Sequence, residues 1–172
     1  RLKEERPNDL NKVIPIAGDI NLLDLGISAK DEEILIQKVS VVFHIAATIR
    51  FTEELKDAVN VNVTGTKYVL QLCQRMKNIK AFVHVSTAYS NPEKHILEEK
   101  MYPPPAKLTE VQTFLDQSIS DSNQIKALLK GAPNTYTFTK ALAETYVAEN
   151  YGNIPTVIIR PSIVSASLRE PL

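Results

Sequence analysis

The chain has 172 residues, 44% of them hydrophobic, with 20 basic residues balanced by 20 acidic ones and a single cysteine. This length suits one domain with a sizeable core, and the charge balance leaves no electrostatic footprint for a nucleic acid or an anionic membrane. A lone Cys73 excludes an intramolecular disulfide and a cysteine-built zinc site, and no apolar run approaches the ~20 residues of a membrane-spanning helix.

The opening at Arg1 is charged, with no Met and no apolar leader, and reads as the start of a fragment. Asn11 to Ile20, closed by Gly18-Asp19, predicts a buried strand; Pro15 places it at an edge or turns its missing amide outward. Ser28 followed by Asp31, Glu32 and Glu33 predicts an N-cap and an acidic first turn, with Ile34, Leu35 and Val39 on the apolar side of the helix. Val41 to Ala47, β-branched at first and small at its end, predicts a central strand covered on both faces. From Ala58 to Met76 apolar residues recur at spacings of three and four, which predicts a long helix interrupted only by Gly65. Arg75, Lys77 and Lys80 at its end complement the helix dipole rather than forming a phosphate site.

Ala81 to Thr87 predicts the next strand, ending in two hydroxyls. Residues from about 90 to 133, with Pro92 and Pro103-Pro104-Pro105, break the rhythm and read as an insertion above the sheet, carrying a helix from about Thr109 to Lys130. Tyr136 to Asn150 predicts a further helix and Thr156 to Pro161 a strand stopped by its proline. Strands alternating with helices make the fold α/β, with a parallel sheet and right-handed crossovers.

Ligands of such a sheet bind beyond the carboxyl ends of its strands, here Gly18-Asp19, Ala46-Ala47, Ser86-Thr87 and Pro161-Ser162. Tyr136 and Lys140, four apart, share one helix face. A lysine ammonium within a few ångströms stabilises a phenolate and lowers the tyrosine pKa from about 10, so Lys140 would activate Tyr136. The hydroxyl of Thr87 or Ser86 would then hold a substrate carbonyl oxygen for the tyrosine proton. His44 and His84, among apolar neighbours, read as satisfied core histidines rather than catalytic ones, and His95 as a surface residue. Cys73, on the apolar stripe of the long helix, reads as core packing rather than an acyl carrier, and no G-x-S-x-G elbow supports a serine hydrolase. Gly65 and Thr66 read as allowing close helix-to-sheet packing.

Taken in order, His44-Ile45-Ala46-Ala47-Thr48-Ile49-Arg50-Phe51, Asn60-Val61-Asn62-Val63-Thr64-Gly65-Thr66, Phe82-Val83-His84-Val85-Ser86-Thr87-Ala88-Tyr89, Tyr136-Thr137-Phe138-Thr139-Lys140 with Ala143-Glu144, and Arg160-Pro161-Ser162-Ile163-Val164 carry a likeness over nearly the whole chain. The sequence resembles the extended short-chain dehydrogenase/reductase superfamily and, within it, the insect-type alcohol-forming fatty acyl-CoA reductases. The resemblance implies a Rossmann-like doubly wound parallel sheet and NADPH-dependent reduction of a long-chain fatty acyl-CoA to a primary alcohol. It makes Tyr136 the proton donor, Lys140 its activator and ribose anchor, and Thr87, with Ser86 as second choice, the hydroxyl partner. It sets Asp19 at the adenine side, Ala46 and Ala47 as bare backbone against the cofactor, Asn62 as the helix asparagine, and Pro161 and Ser162 beside the nicotinamide, with no metal.

The resemblance also has a gap. Glycines stand alone at 18, 26, 65, 131 and 152, and no G-x-G-x-x-G exists to cradle a pyrophosphate. Residues 1–172 are therefore expected to be a partial NAD(P)-binding reductase domain without its first strands and Gly-rich turn. The resemblance leaves acyl-chain and membrane machinery to a further C-terminal portion, and implies an endoplasmic reticulum or peroxisome membrane for the intact protein. The alternatives are a related reductase or epimerase acting on a sugar nucleotide or hydroxysteroid, and a truncated isoform that binds a partner or lipid without catalysis.

Overall fold

The β-branched runs pair as β1 (Val41–His44), β2 (Ala81–Val85) and β3 (Thr156–Ile159) in the computed structural model, which describes residues 2–117 and 121–165. The strands are parallel in the order β1-β2-β3, with His44 opposite His84 and His84 opposite Ile158. The expected α/β class and parallel sheet are both present.

Residues of even parity, Val42, His44, Phe82, His84 and Ile158, face the helices. Short α1 (Leu2–Glu5) opens the chain, and α2 (Ala29–Lys38) starts at Ser28, whose hydroxyl accepts from the Asp31 amide at 3.1 Å and donates to its carboxylate at 2.7 Å. The long helix is α3 (Leu55–Val59) and α4 (Gly65–Arg75), joined through a π-turn at Asn60–Thr64. Its last turn is tied to α2 by an Arg75–Glu32 pair at 2.6 Å. Leu70, Cys73 and Met76 meet Phe82, Ile36, Val147 and Ile154 in one core.

A second core lies between α3, the insertion and α7 (Thr135–Asn150), where Leu55, Val59 and Val63 pack with Val111, Leu129, Phe138 and Leu142. Because α7 stands between both cores, it is buried from Thr137 to Thr145 with no polar outer face. Asn134 caps it by accepting from the Thr137 amide at 2.9 Å.

Four expectations are corrected. Residues 13–18 form no strand, and Val13 and Ile14 are exposed: an extended segment becomes a strand only beside a partner, and the described sheet offers it none. Among the described residues β1 is an edge strand instead of a central one and ends at His44, with Phe43 64% exposed on the face away from the helices. The helix expected over about 109–130 is two helices, α5 (Leu108–Asp116) and α6 (Ser122–Leu129), because Asp121 turns its carboxylate onto the Asn123 and Gln124 amides as a new N-cap. Residues 118–120 of that expectation lie outside the described residues. Gly65 packs against a loop rather than the sheet: a Cβ there would collide with Ile20 Cγ1 and stand 2.9 Å from its Cδ1. Thr66 does meet the sheet, its hydroxyl 2.8 Å from His44 Nε2.

Candidate active site

α7 carries Lys140 across the end of β2. Its Nζ donates to the Val85 carbonyl oxygen at 2.7 Å, one residue before Ser86, and the side chain is buried. The Ser86 hydroxyl is buried with no hydrogen-bond partner. Thr87, also buried, accepts from the Tyr89 amide at 3.2 Å and so caps the single turn Ala88–Ser90. The backbone ladder continues past β3, with the Ala88 amide donating to the Pro161 carbonyl at 2.8 Å, while Ser162 is exposed. Tyr136, one helical turn before Lys140, is half-buried with its ring 5.7 Å from that of Phe51, in the loop after β1. Four of the expected groups, Ser86, Thr87, Tyr136 and Lys140, thus lie on α7 and the segment it crosses.

Asn62 joins this end of the sheet from the π-turn. Its Oδ1 accepts from the Thr48 amide at 2.9 Å, and its Nδ2 donates to the Thr139 hydroxyl at 2.9 Å and the Thr48 carbonyl at 3.3 Å. Both of its N–H donors and its oxygen serve to hold the loop that bears Ala46 and Ala47 against α7. Asp19 sits in an exposed turn, accepting from the Asn21 amide and side chain at 2.9 and 3.0 Å; Asn21 in turn accepts from Asn60 at 3.2 Å.

Burial sets the electrostatics. Lys140 is brought down to about 8 by desolvation, against which the Glu144 carboxylate pulls upward. His44 is held down at about 4 and His84 at about 2, in each case by burial first and then by the Lys140 charge. Both are neutral at pH 7; His44 is satisfied by Thr66, as expected, whereas His84 corrects the expectation of a satisfied histidine, since it is packed in the core with neither ring nitrogen hydrogen-bonded. Cys73 is fully buried and its thiol is pushed up to about 12, which fits core packing. His95 is exposed.

Sequence reasoning gave no role to Thr48, Thr139, Phe51 or the Glu144–Arg160 pair. Arg160 Nε and Nη2 donate to the two Glu144 carboxylate oxygens at 2.9 and 2.7 Å. The only signal was Glu144 at the same four-residue spacing beyond Lys140 that separates Lys140 from Tyr136.

A buried ammonium with donors to spare, an unpaired hydroxyl beside it and a small-residue loop opposite fit the ribose and nicotinamide side of a dinucleotide. A cleft of about 880 Å³ runs along β3 between Leu97, Met101, Val147, Tyr151 and Ile159. Among the described residues no group of His, Cys, Asp and Glu could hold a metal ion, and no helix is long and apolar enough to cross a membrane.

The NAD-binding family model described as "Male sterility protein" matches residues 1–172. Fatty acyl-CoA reductase 1 of Xenopus laevis is 43% identical over 174 residues, covering 99% of this chain and 34% of that protein. Fatty acyl-CoA reductase 1 of Gallus gallus is 44% identical, with the same coverage of 99% and 34%. The chain therefore spans about a third of the length of these relatives. Among solved structures, the terminal R domain of the myxalamid PKS-NRPS biosynthetic pathway superposes with a TM-score of 0.64 at 24% identity, over 91% of this chain and 35% of that one. This likeness is one of fold alone, and the fold is Rossmann-like.

Proposed function

Because the chain belongs to the NAD-binding family of male sterility proteins, we propose that it is part of the catalytic domain of an NADPH-dependent reductase that converts a long-chain fatty acyl-CoA to a primary alcohol. The observation that carries this reading is the buried Lys140, fixed on the Val85 carbonyl at 2.7 Å one turn beyond Tyr136 and beside Ser86 and Thr87.

Thioester-to-alcohol reduction consumes two hydrides, one from each of two reduced nicotinamides bound in turn, and CoA thiolate leaves between the two reductions. The chain's own residues handle the oxygen and the proton. Thr87, with Ser86 behind it, holds the substrate carbonyl oxygen by a hydroxyl hydrogen bond, and Tyr136 gives its phenolic proton to that oxygen as negative charge develops there. Lys140 holds the resulting phenolate with its ammonium and has N–H donors left for a ribose hydroxyl. Asn62 acts through the backbone it positions, keeping Ala46 and Ala47 where a cofactor can lie against main chain. Asp19 would meet the adenine side, and Pro161 and Ser162 would border the nicotinamide. The preference for NADPH over NADH, and an endoplasmic reticulum or peroxisome membrane as the location of the intact protein, belong to the same proposal as what the sequence resemblance implies.

The test is a substrate comparison on the full-length protein. Long-chain acyl-CoA with NADPH should release CoA and yield primary alcohol with two NADPH consumed per alcohol, while sugar nucleotides and hydroxysteroids stay unchanged. Inert acyl-CoA alongside turnover of either other class would overturn the reading.

A further inference from the structure

Glu144 follows Lys140 by one helical turn, and both residues are buried, at 2% and 3% exposure. Arg160, beyond the end of β3, grips the Glu144 carboxylate through two hydrogen bonds of 2.9 and 2.7 Å. Its third nitrogen, Nη1, donates to the Lys100 carbonyl at 3.0 Å and reaches the Glu98 carbonyl at 3.5 Å. The guanidinium also lies 5.4 Å from the centre of the Tyr102 ring, and the Tyr102 hydroxyl accepts from the Glu98 amide at 2.7 Å. One ion pair therefore joins the helix of Tyr136 and Lys140, the last described strand, and loop 98–102 of the insertion. The desolvation of a buried pair offsets most of its Coulomb gain, so fold stability is a weak reason for placing one here.

We propose that Glu144 and Arg160 are positioning residues that couple the buried Lys140 ammonium to loop 98–102. The inference rests on the reading of Lys140 as the activator of Tyr136. The titratable and charged groups around Lys140 are Tyr136 and Glu144 on its own helix, His84 on β2, His44 on β1 and, through Glu144, Arg160 beyond β3. Both histidines are neutral at pH 7, which leaves Glu144 as the anion that opposes the desolvation of the ammonium. Removing the carboxylate and removing its counter-cation consequently act on Lys140 in opposite senses. Glu144→Gln lets the ammonium lose its proton at lower pH, whereas Arg160→Met leaves an uncompensated carboxylate that holds the proton to higher pH.

In the full-length protein, the midpoint of Lys140 is read by carbon-13 NMR of the labelled lysine Cε, assigned with Lys140→Met, alongside the pH profile of acyl-CoA turnover. The Glu144→Gln midpoint is expected to move roughly tenfold towards higher proton concentration, and the Arg160→Met midpoint roughly tenfold the other way. Arg160→Lys keeps the charge and should restore the wild-type midpoint. Tyr102→Leu changes no charge but loosens Arg160 and the loop, so the midpoint should move in the Arg160→Met direction by less, with a raised KM for acyl-CoA. Midpoints that move together in the two ion-pair variants, or an unmoved midpoint in Tyr102→Leu, overturn the coupling, and the latter remains decisive where Arg160→Met does not fold. Diverging midpoints in a protein that leaves acyl-CoA inert would sink the proposed substrate and keep the coupling.

Discussion

At the residue scale, Tyr136 and Cys73 separate two ways of reducing a thioester. Tyr136→Phe keeps the ring against Phe51 and removes only the proton donor, so turnover by the full-length protein should fall at least about 100-fold with cofactor affinity retained. Cys73→Ala should stay within about twofold, because a thiol pushed up to about 12 by burial supplies no thiolate at neutral pH. The reverse result in steady-state assays would mean an acyl-enzyme route. Histidine burial makes a separate prediction about stability. Between the unfolded value of 6.5 and the folded value of about 4, unfolded chains bind a proton that folded His44 refuses, so stability drops as pH falls through that window. The loss from His44 alone is on the order of 3 kcal/mol by pH 4, and urea titrations at pH 7 and pH 4.5 should differ accordingly. Tyr136, Lys140, Ser86 and Thr87 were legible in the sequence because helical spacing and strand ends fix where such residues lie. The grip of Arg160 on Glu144 was not, since two residues 16 apart meet only through the way β3 returns beside α7.

Elements were legible where a local signal sufficed and illegible where a partner decided. The Ser28 cap needs only its own first turn, and α2 starts where that cap places it. The run at 11–20 has strand composition, yet pairing is a property of two segments, and the described sheet gives Val13 and Ile14 no neighbour. The π-turn was invisible because one extra residue in a turn preserves the apolar content of a helix while rotating every later side chain; its product is Asn62 facing both Thr48 and Thr139. Gly65, directly after that turn, gives a prediction at this scale. Alanine there gains up to about 1 kcal/mol in helix propensity but drives a Cβ into Ile20 Cγ1, an overpacking that costs about 1–3 kcal/mol. The net should be a loss of about 1 kcal/mol by chemical denaturation, relieved by Gly65→Ala combined with Ile20→Ala.

For the whole molecule, the uneven cover of the sheet is the dominant fact. One face lies under α4 and α7, while Phe43, Ile45, Val157 and Ile159 of the other are 44–65% exposed. Apolar side chains exposed in this way drive association, although Val83 between Phe43 and Val157 is itself buried. The 172-residue polypeptide produced alone should therefore be polydisperse in light scattering at micromolar concentration, and Phe43→Lys with Val157→Lys should reduce its apparent mass. Lacking any glycine-rich turn, that polypeptide should also bind NADPH poorly, and micromolar affinity in a calorimetric titration would contradict this. The strand order β1-β2-β3 has a further meaning for a chain made from one end. Among the described strands each is laid beside its predecessor, so this part of the sheet can grow in step with the ribosome. Between Val85 and Thr156, however, about 70 residues must be added, which at roughly 5–20 residues per second leaves the open edge of β2 without its neighbour for about 4–14 seconds. α7 is made within that interval, so Lys140 is available to the Val85 carbonyl before β3 arrives.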